Sequence, residues 1–320
     1  MISRKSSDEN NLPKAVIICG PTGSGKSALG MFLAERFNGV IISADSRQIY
    51  RMLDIGTAKP TLADRSKVRH YLIDVVDVTE SFTAGKFAEL ATSAINESLA
   101  TGKIPFIVGG AGLYIEALTA GLFNGPEINL EIRHSLEQKA VEIGSLEMYK
   151  QLQNIDPDSA SAIYPNDIVR IIRALEIFES SGKTMTHWRE QGVYTPLNME
   201  YLWLGLSWPR KDLYHRINCR VDQMIRNGLL AEIDSLLRQN LGVPIINKGI
   251  VGYYEIINAL ENLSSVEKAI DLIKQHSRNY AKRQMTWFNN RVSLQWIDGS
   301  KIEYMEIAAS LVSGHLSKRP

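Results

Sequence analysis

Residues 15–27 read Ala15-Val16-Ile17-Ile18-Cys19-Gly20-Pro21-Thr22-Gly23-Ser24-Gly25-Lys26-Ser27. A short apolar run rich in β-branched residues stops at a glycine. A loop of small residues follows, and a helical pattern opens at Lys26. The loop fills every fixed position of G-x-x-x-x-G-K-[ST] and sits between strand and helix, as that motif requires. Its glycines let backbone N–H groups close around phosphate oxygens at a helix N-terminus. Gly20, Pro21, Thr22, Gly23, Ser24, Gly25, Lys26 and Ser27 are thus the expected phosphate cradle. Lys26 would neutralise the bridging and terminal oxygens, and the Ser27 hydroxyl would reach Mg²⁺.

Working outward, Gly39 to Ser43, His70 to Val75, Ile104 to Val108 and Tyr201 to Leu206 are further short runs of strand type. Helical patterns such as Ser27 to Phe37 and Thr83 to Ala100 lie between them. This alternation predicts an α/β fold: a P-loop NTPase-like parallel sheet flanked by helices. From about Phe123 to Gln191 strand signals vanish. Leu130 to Ile143, Leu146 to Leu152 and Asp167 to Ser180 read as helices, with Gly182 as a stop. The expected organisation is a core of residues 14–122 and 196–320, an all-helical insertion at 123–195 and a flexible tail at 1–13.

The chain has 320 residues and a net charge of +1, with 36 Lys and Arg against 35 Asp and Glu. Such a balance gives no global sign of a nucleic-acid partner, so any such surface must be local. The two cysteines, Cys19 and Cys219, form neither a disulfide framework nor a zinc set and suit a reducing, cytoplasmic setting. No apolar run is long enough for a bilayer, and the polar N-terminus is no secretory signal.

A P-loop announces only polyphosphate. An ATP-hydrolysing machine usually adds an apolar strand ending in Asp. Ile104 to Val108 ends instead in Gly109-Gly110, leaving Asp74 as the fair substitute. The second strand delivers Asp45 to the edge where parallel sheets bind ligands, and its carboxylate could take a proton from an attacking amine or hydroxyl. Capping of the next helix is the alternative. Gly109-Gly110-Ala111-Gly112 would let backbone approach a ligand closely. Between Ile273 and Trp296 there is no acidic residue, and Lys274, Arg278 and Lys282 share one helix face, with Arg283 and Arg291 nearby and Tyr280 and Trp287 interleaved. That pattern suits a phosphate backbone with bases to stack on, or else a solvated helix face. Arg170 with Arg173, and Arg216 with Arg220, are further basic pairs.

Taken together, these residues resemble the tRNA dimethylallyltransferases, or tRNA isopentenyltransferases, from about Val16 to Trp287. The resemblance rests on Gly20 to Ser27, Asp45 to Tyr50, Asp54 to Pro60, Gly109 to Tyr114, Asn166 to Glu176, Ser181 to Thr184, Val251 to Glu255 and Ala281 to Phe288, in that order and spacing. It implies transfer of a dimethylallyl group from dimethylallyl pyrophosphate to the N6 amine of adenosine 37, beside the tRNA anticodon. The anticodon stem-loop would be gripped between core and insertion, with the base flipped out of its stack. Asp45 corresponds to the general base, Lys26 and Arg220 to cations on the departing pyrophosphate, and Ser27 with Mg²⁺ to the metal site. Segments touching tRNA in the family correspond to Asp45, Ser46, Arg47 and Gln48, to Ala111, to Arg133, and to Val169, Arg170, Ile171, Ile172 and Arg173. Gly249 to Tyr254 and the Lys282 to Asn289 stretch, with Lys282, Arg283 and Gln284, complete them. This chain departs from the family at Ala111, Tyr254 and Asn289, where a threonine and two cations are usual. No zinc-finger extension follows Trp296, which points to the bacterial or organellar type. A monomeric enzyme is expected, and a P-loop small-molecule kinase is the rival reading.

Overall fold

In the computed structural model residues 12–123, 125–192, 196–262, 265–291 and 294–317 are described, Arg291 by its backbone alone. Most of the expected tail at 1–13 lies outside them. Six strands, β1 (Lys14–Cys19), β2 (Gly39–Ala44), β3 (His70–Tyr71), β4 (Ile104–Gly109), β5 (Glu200–Ser207) and β6 (Gln295–Asp298), form one sheet in the order β3-β2-β4-β1-β5-β6. Every pairing is parallel, with Val16 beside Phe106 on one flank and Leu202 on the other. The parallel sheet flanked by helices is the architecture expected from the sequence.

Because side chains alternate along a strand, β1 feeds two cores. Val16 and Ile18 join Leu29 and Leu33 of the helix Lys26–Arg36 and Val312 of the helix Tyr304–Ser317. Ala15, Ile17 and Cys19 join Phe87, Ile95 and Ile115 on the opposite face. Burial on both faces explains why β1, β2 and β4 read as continuous apolar runs. A third cluster joins Ile49, Tyr50 and Leu53, just past β2, to Val221, Ile233, Tyr253 and Ile256 from the C-terminal helices.

Two strand expectations need correction. His70 to Val75 pairs only at His70 and Tyr71, because Leu72 and Asp74 take positive φ values of 61° and 57° and turn the chain out of the sheet. Asp74 is then fixed by Lys59 at 2.5 Å and Arg65 at 2.7 Å. The short β6 was not anticipated.

The chain divides into two compact units, Met1–Thr119 with Leu197–Pro320, and Ala120–Pro196. The second holds a helical run Leu130–Ile155, broken at Gly144 by φ 82°, and the helix Ile168–Ser181, which ends at left-handed Gly182. Ile171, Ile172 and Leu175 fill its core with Leu136, Met148 and Leu152. Glu176 is fully buried and accepts from Arg133 Nη2 at 2.6 Å, Arg173 Nη1 at 2.9 Å and the Asn129 amide at 2.9 Å. Removing this carboxylate would strand two partly buried guanidinium groups. Glu176→Ala is therefore expected to lower stability by about 3 kcal/mol. Denaturant unfolding of the whole chain checks it, and a loss below about 1 kcal/mol would mean that water replaces the carboxylate without cost.

Candidate active site at the carboxyl edge of the sheet

The loop Gly20–Gly25 is pinned from outside by its carbonyls. Trp208 Nε1 donates to the Ser24 carbonyl at 2.8 Å, and Arg216 Nε donates to the Gly23 carbonyl at 2.9 Å, with its guanidinium 4.0 Å from the Trp208 ring centroid. In a trans peptide C=O and N–H point opposite ways, so the grip on Ser24 aims the Gly25 N–H away from Trp208. The helix Lys26–Arg36 starts at left-handed Gly25, φ 98°, with no side-chain cap. Its first amides are left to an external acceptor, which is the condition for anion binding.

Lys26 Nζ donates to the Pro21 carbonyl at 2.6 Å. Burial first, and then the Arg220 guanidinium, bring its ammonium down to about 8, against a smaller upward pull from Asp45. Burial also lowers the Arg220 guanidinium, again opposed by Asp45. Two cations and one carboxylate thus share the mouth of the loop. The Cys19 thiol beneath is pushed up to about 12 by burial and stays neutral.

Asp45 follows β2 directly. Its Oδ1 accepts from the Arg47 amide at 2.8 Å and the Gln48 amide at 3.4 Å, so it caps a turn, where the alternative reading expected a helix. Its Oδ2 makes no hydrogen bond among the described residues. The same carboxylate therefore has one oxygen that sets its position and one without a hydrogen bond among the described residues. Tyr280 lies beside Ser46, and burial followed by the Asp45 charge pushes its hydroxyl up to about 12. Tyr114, stacked on Phe87 with centroids 4.7 Å apart, is raised by burial and also feels Asp45. Sequence reading gave neither tyrosine a place beside Asp45, since nothing local reveals which strand end an aromatic meets.

Several expected contacts turn inward. Gln48 is buried: its Oε1 accepts from Ser43 at 3.1 Å and its Nε2 donates to the carbonyls of Thr57 and Ala58. Gln284 is buried as well. It accepts from the Thr22 amide at 2.8 Å and donates to the Gly110 carbonyl at 2.9 Å, so the Thr22 N–H is already committed. Ile171 and Ile172 belong to the core of the helical unit, while Val169 and Arg170 are exposed. Lys274 pairs with Asp222 at 2.6 Å and Arg278 donates to Asn218 at 2.7 Å, both residues of the helix Arg210–Arg226. Lys274 and Arg278 pack inward, and Lys282 and Arg283 are the exposed cations of the segment among its described side chains. Asp74 is held in ion pairs by Lys59 and Arg65. The glycines at 109–112 do permit close approach, but to the chain itself. A Cβ on Gly109 would strike the Ala44 carbonyl, one on Gly110 the Gln284 amide and one on Gly112 the Trp287 ring. Ala111 donates its amide to Ala44 at 3.1 Å, one residue from Asp45.

Two cavities meet this edge. One of about 480 Å³ is lined by Ser27, Ser43, Gln48 and Lys59. The other, about 940 Å³, is lined by Arg220 together with Met52, Ile55 and Met224. They share Ala58, Lys59 and Pro60. Among the described residues no three His, Cys, Asp or Glu side chains gather to hold a metal. Mg²⁺ needs few protein oxygens when phosphates and waters supply the rest, and the exposed Ser27 hydroxyl suits that donor set.

Fold and site together define a P-loop α/β protein whose sheet edge carries a cation pair and a carboxylate. The family model described as IPP transferase matches residues 48–291, and the chain belongs to that family. It is 43% identical over 285 residues to the tRNA dimethylallyltransferase 2 of Geotalea daltonii, covering 89% of this chain and 87% of that one. Identity to the tRNA dimethylallyltransferase of Staphylococcus carnosus is 40% over 313 residues, 97% and 98% of the two chains. Among solved structures, the tRNA isopentenylpyrophosphate transferase of Staphylococcus epidermidis aligns with a TM-score of 0.68 and 34% identity over 96% of this chain and 100% of its own. A eukaryotic dimethylallyltransferase acting on tRNA aligns with a TM-score of 0.79 and 29% identity, over 96% and 80%.

The lowered Lys26 ammonium has a consequence for anion binding. Below pH about 8 Lys26 is charged before an anion arrives; above it, binding must first recover a proton. Affinity for inorganic pyrophosphate is expected to fall as pH rises through about 8, by up to about tenfold per unit. Calorimetry against pH checks this, with Lys26→Arg, charged throughout, as the variant that should lack the fall. An identical fall in both proteins would assign the titration to the ligand.

Proposed function

We propose that this protein transfers the dimethylallyl group of dimethylallyl pyrophosphate to the N6 amine of adenosine 37 in tRNA, releasing pyrophosphate. The observation that carries the reading is the grouping of Asp45 with Lys26 and Arg220 at the mouth of the P-loop. A kinase reading would want a strand-end carboxylate for its metal, and Asp74 is committed to Lys59 and Arg65. The names of the relatives point the same way.

In this mechanism the adenine nitrogen attacks the first prenyl carbon. The new N–C bond forms as the C–O bond to pyrophosphate breaks, and the bonding pair leaves with the pyrophosphate. Asp45, fixed through Oδ1 by the turn it caps, takes the amine proton on Oδ2. Lys26, Arg220 and the free amides at Gly25 and beyond stabilise the charge that develops on the leaving group. When bound, Mg²⁺ held by Ser27 and phosphate oxygens supplies further charge neutralisation. The cavity reached by Arg220, with Met52, Ile55 and Met224 on its wall, offers cationic and apolar surface together, as a prenyl pyrophosphate requires. On the RNA side, exposed Lys282, Arg283, Val169 and Arg170 take over the contacts expected of their buried neighbours. Arg133 and Arg173, oriented by Glu176, complete that set. The protein is read as a cytoplasmic monomer. Among its described residues no helix is long and apolar enough to cross a membrane.

The direct test incubates labelled dimethylallyl pyrophosphate, or labelled ATP, with and without tRNA. The prenyl label should move to tRNA, and transfer of a phosphoryl label would favour the kinase. Asp45→Asn keeps the turn cap but removes the base, and single-turnover transfer should slow by roughly 10²–10⁴. Retention of more than about a tenth of the rate would leave Asp45 as a cap only.

The salt dependence of tRNA binding separates outward from inward cations. Lys282→Ala with Arg283→Ala should reduce the slope of log affinity against log salt by about two, one per phosphate contact. Lys274→Ala, whose ammonium already faces Asp222, should leave that slope unchanged. The reverse pattern would place the RNA on the Lys274 face.

A further inference from the structure

The helix Val266–Arg291 sets one face against three strand ends at once. Tyr280 reaches Ser46 beyond β2, Gln284 joins Thr22 beyond β1 to Gly110 beyond β4, and Trp287 lies where a Cβ on Gly112 would stand. Phe288 is buried in the core beneath them. The spacing i, i+4, i+7, i+8 makes this one continuous stripe. Lys282, Arg283, Thr286 and Asn289 are exposed on the rest of the helix.

We propose that Gln284 is a positioning residue for pyrophosphate and makes no contact with tRNA, a role that rests on the transferase reading above. Gln284 is 6% exposed and spends both ends of its amide inside the protein. Its Oε1 accepts from the Thr22 N–H at 2.8 Å while its Nε2 donates to the Gly110 carbonyl at 2.9 Å. The Thr22 N–H belongs to the same peptide unit as the Pro21 carbonyl. That carbonyl accepts from Lys26 Nζ at 2.6 Å and from the Ser24 amide at 3.3 Å. One rigid peptide is therefore gripped from both sides, by Gln284 through its N–H and by Lys26 through its C=O. The orientation of that peptide decides where the Lys26 ammonium rests and how the loop closes behind it. Gln284 sets the orientation, and it ties it to the end of β4, one residue before Ala111. A side chain must accept and donate simultaneously to do this, and a primary amide does both. A protonated carboxyl group does so too; a carboxylate cannot donate, and a thioether of similar length has no N–H or O–H to give.

The experiment measures the Kd of inorganic pyrophosphate with Mg²⁺, and separately the Kd of tRNA, for wild type, Gln284→Met and Gln284→Glu. Gln284→Met should raise the pyrophosphate Kd roughly tenfold, the scale of two lost hydrogen bonds. Its tRNA Kd should stay within about twofold of wild type if no RNA hydrogen bond is lost. Gln284→Glu should bind pyrophosphate as weakly near pH 8. As pH falls toward about 5.5, its Kd relative to wild type at the same pH should recover, because the protonated carboxyl again donates to Gly110 and accepts from Thr22. A gap-filling role would not produce that recovery. If Gln284→Met does not fold, the pH course of Gln284→Glu decides alone. Weakened tRNA binding with unchanged pyrophosphate binding would overturn the proposal and return Gln284 to the RNA surface. Equal losses for both ligands without acid recovery would overturn it as well. Absence of pyrophosphate binding by the wild-type chain would sink this role and the transferase reading together; binding by wild type without acid recovery in Gln284→Glu sinks this role alone.

Discussion

Lys26 and Arg220 repel one another, and the rest of the site is organised around keeping them together. Like charges brought out of water cost free energy through desolvation as well as repulsion, as the lowered Lys26 ammonium records. One carboxylate, Asp45, offsets part of this, so the cluster stays cationic and ready for a polyanion. A pair of this kind would drift apart on flexible supports. Here Lys26 opens a helix, Arg220 lies within another and Asp45 directly follows a buried strand. The parallel sheet brings these rigid elements to one edge because β1, β2 and β4 all run the same way and are neighbours. Electrostatic preorganisation of this sort does its stabilising before the reaction begins, which is where its catalytic value lies.

The carbonyl side of the P-loop is as important as its amide side. Arg216 and Trp208 hold Gly23 and Ser24, Lys26 and Gln284 hold the Pro21–Thr22 peptide, and the first amides of the helix that starts at Gly25 are left to an external acceptor. Residues far apart in sequence thus converge on six residues of loop. The tightness of this packing explains glycines that a motif reading assigns to ligand approach. Gly109, Gly110 and Gly112 lie against Ala44, Gln284 and Trp287, and a methyl group at any of them would displace the strand end or the bracing helix. In this chain the glycines serve the ligand by letting the protein close on itself.

Much of this was legible in the sequence where a local rule sufficed. The P-loop motif carries its own context of strand and helix, and β1, β2 and β4 are apolar on both faces, so their runs stood out. The helix Ile168–Ser181 was readable from its period and from Gly182. What failed to show was decided by partners distant in the chain. Nothing near Lys274 reveals that Asp222 faces it, so a basic stripe read as open surface is in fact packed against another helix. Ile171 and Ile172 sat inside a segment matched to RNA contact, but their apolar side chains follow the core and only the neighbouring Val169 and Arg170 are exposed. His70 to Val75 had a strand's composition, yet the ion pairs of Asp74 with Lys59 and Arg65 favour a turn that ends the pairing after two residues. The four residues of β6 were too few to carry a period.

The helix Val266–Arg291 shows how one pattern can serve two purposes that a linear reading merges. Its stretch beyond Ile273 has no acidic residue and points to an anionic partner, and Lys282 and Arg283 are members of that stretch left exposed. Gln284 follows them in sequence but lies about 100° round the helix from Arg283 and about 200° from Lys282, and this rotation carries its amide into the protein. Under the proposed function, contact with RNA on one face and bracing of the phosphate loop on the other would be properties of a single rigid rod. Because the rod's inner stripe touches the ends of β1, β2 and β4, any displacement of the helix would reach Thr22, Ser46 and Gly110 together. The site therefore tolerates the missing cation at Asn289, on the exposed face, far more readily than it would tolerate a change at Gln284. Loss at the exposed face removes one contact screened by solvent, whereas loss at Gln284 leaves a buried donor and a buried acceptor without partners.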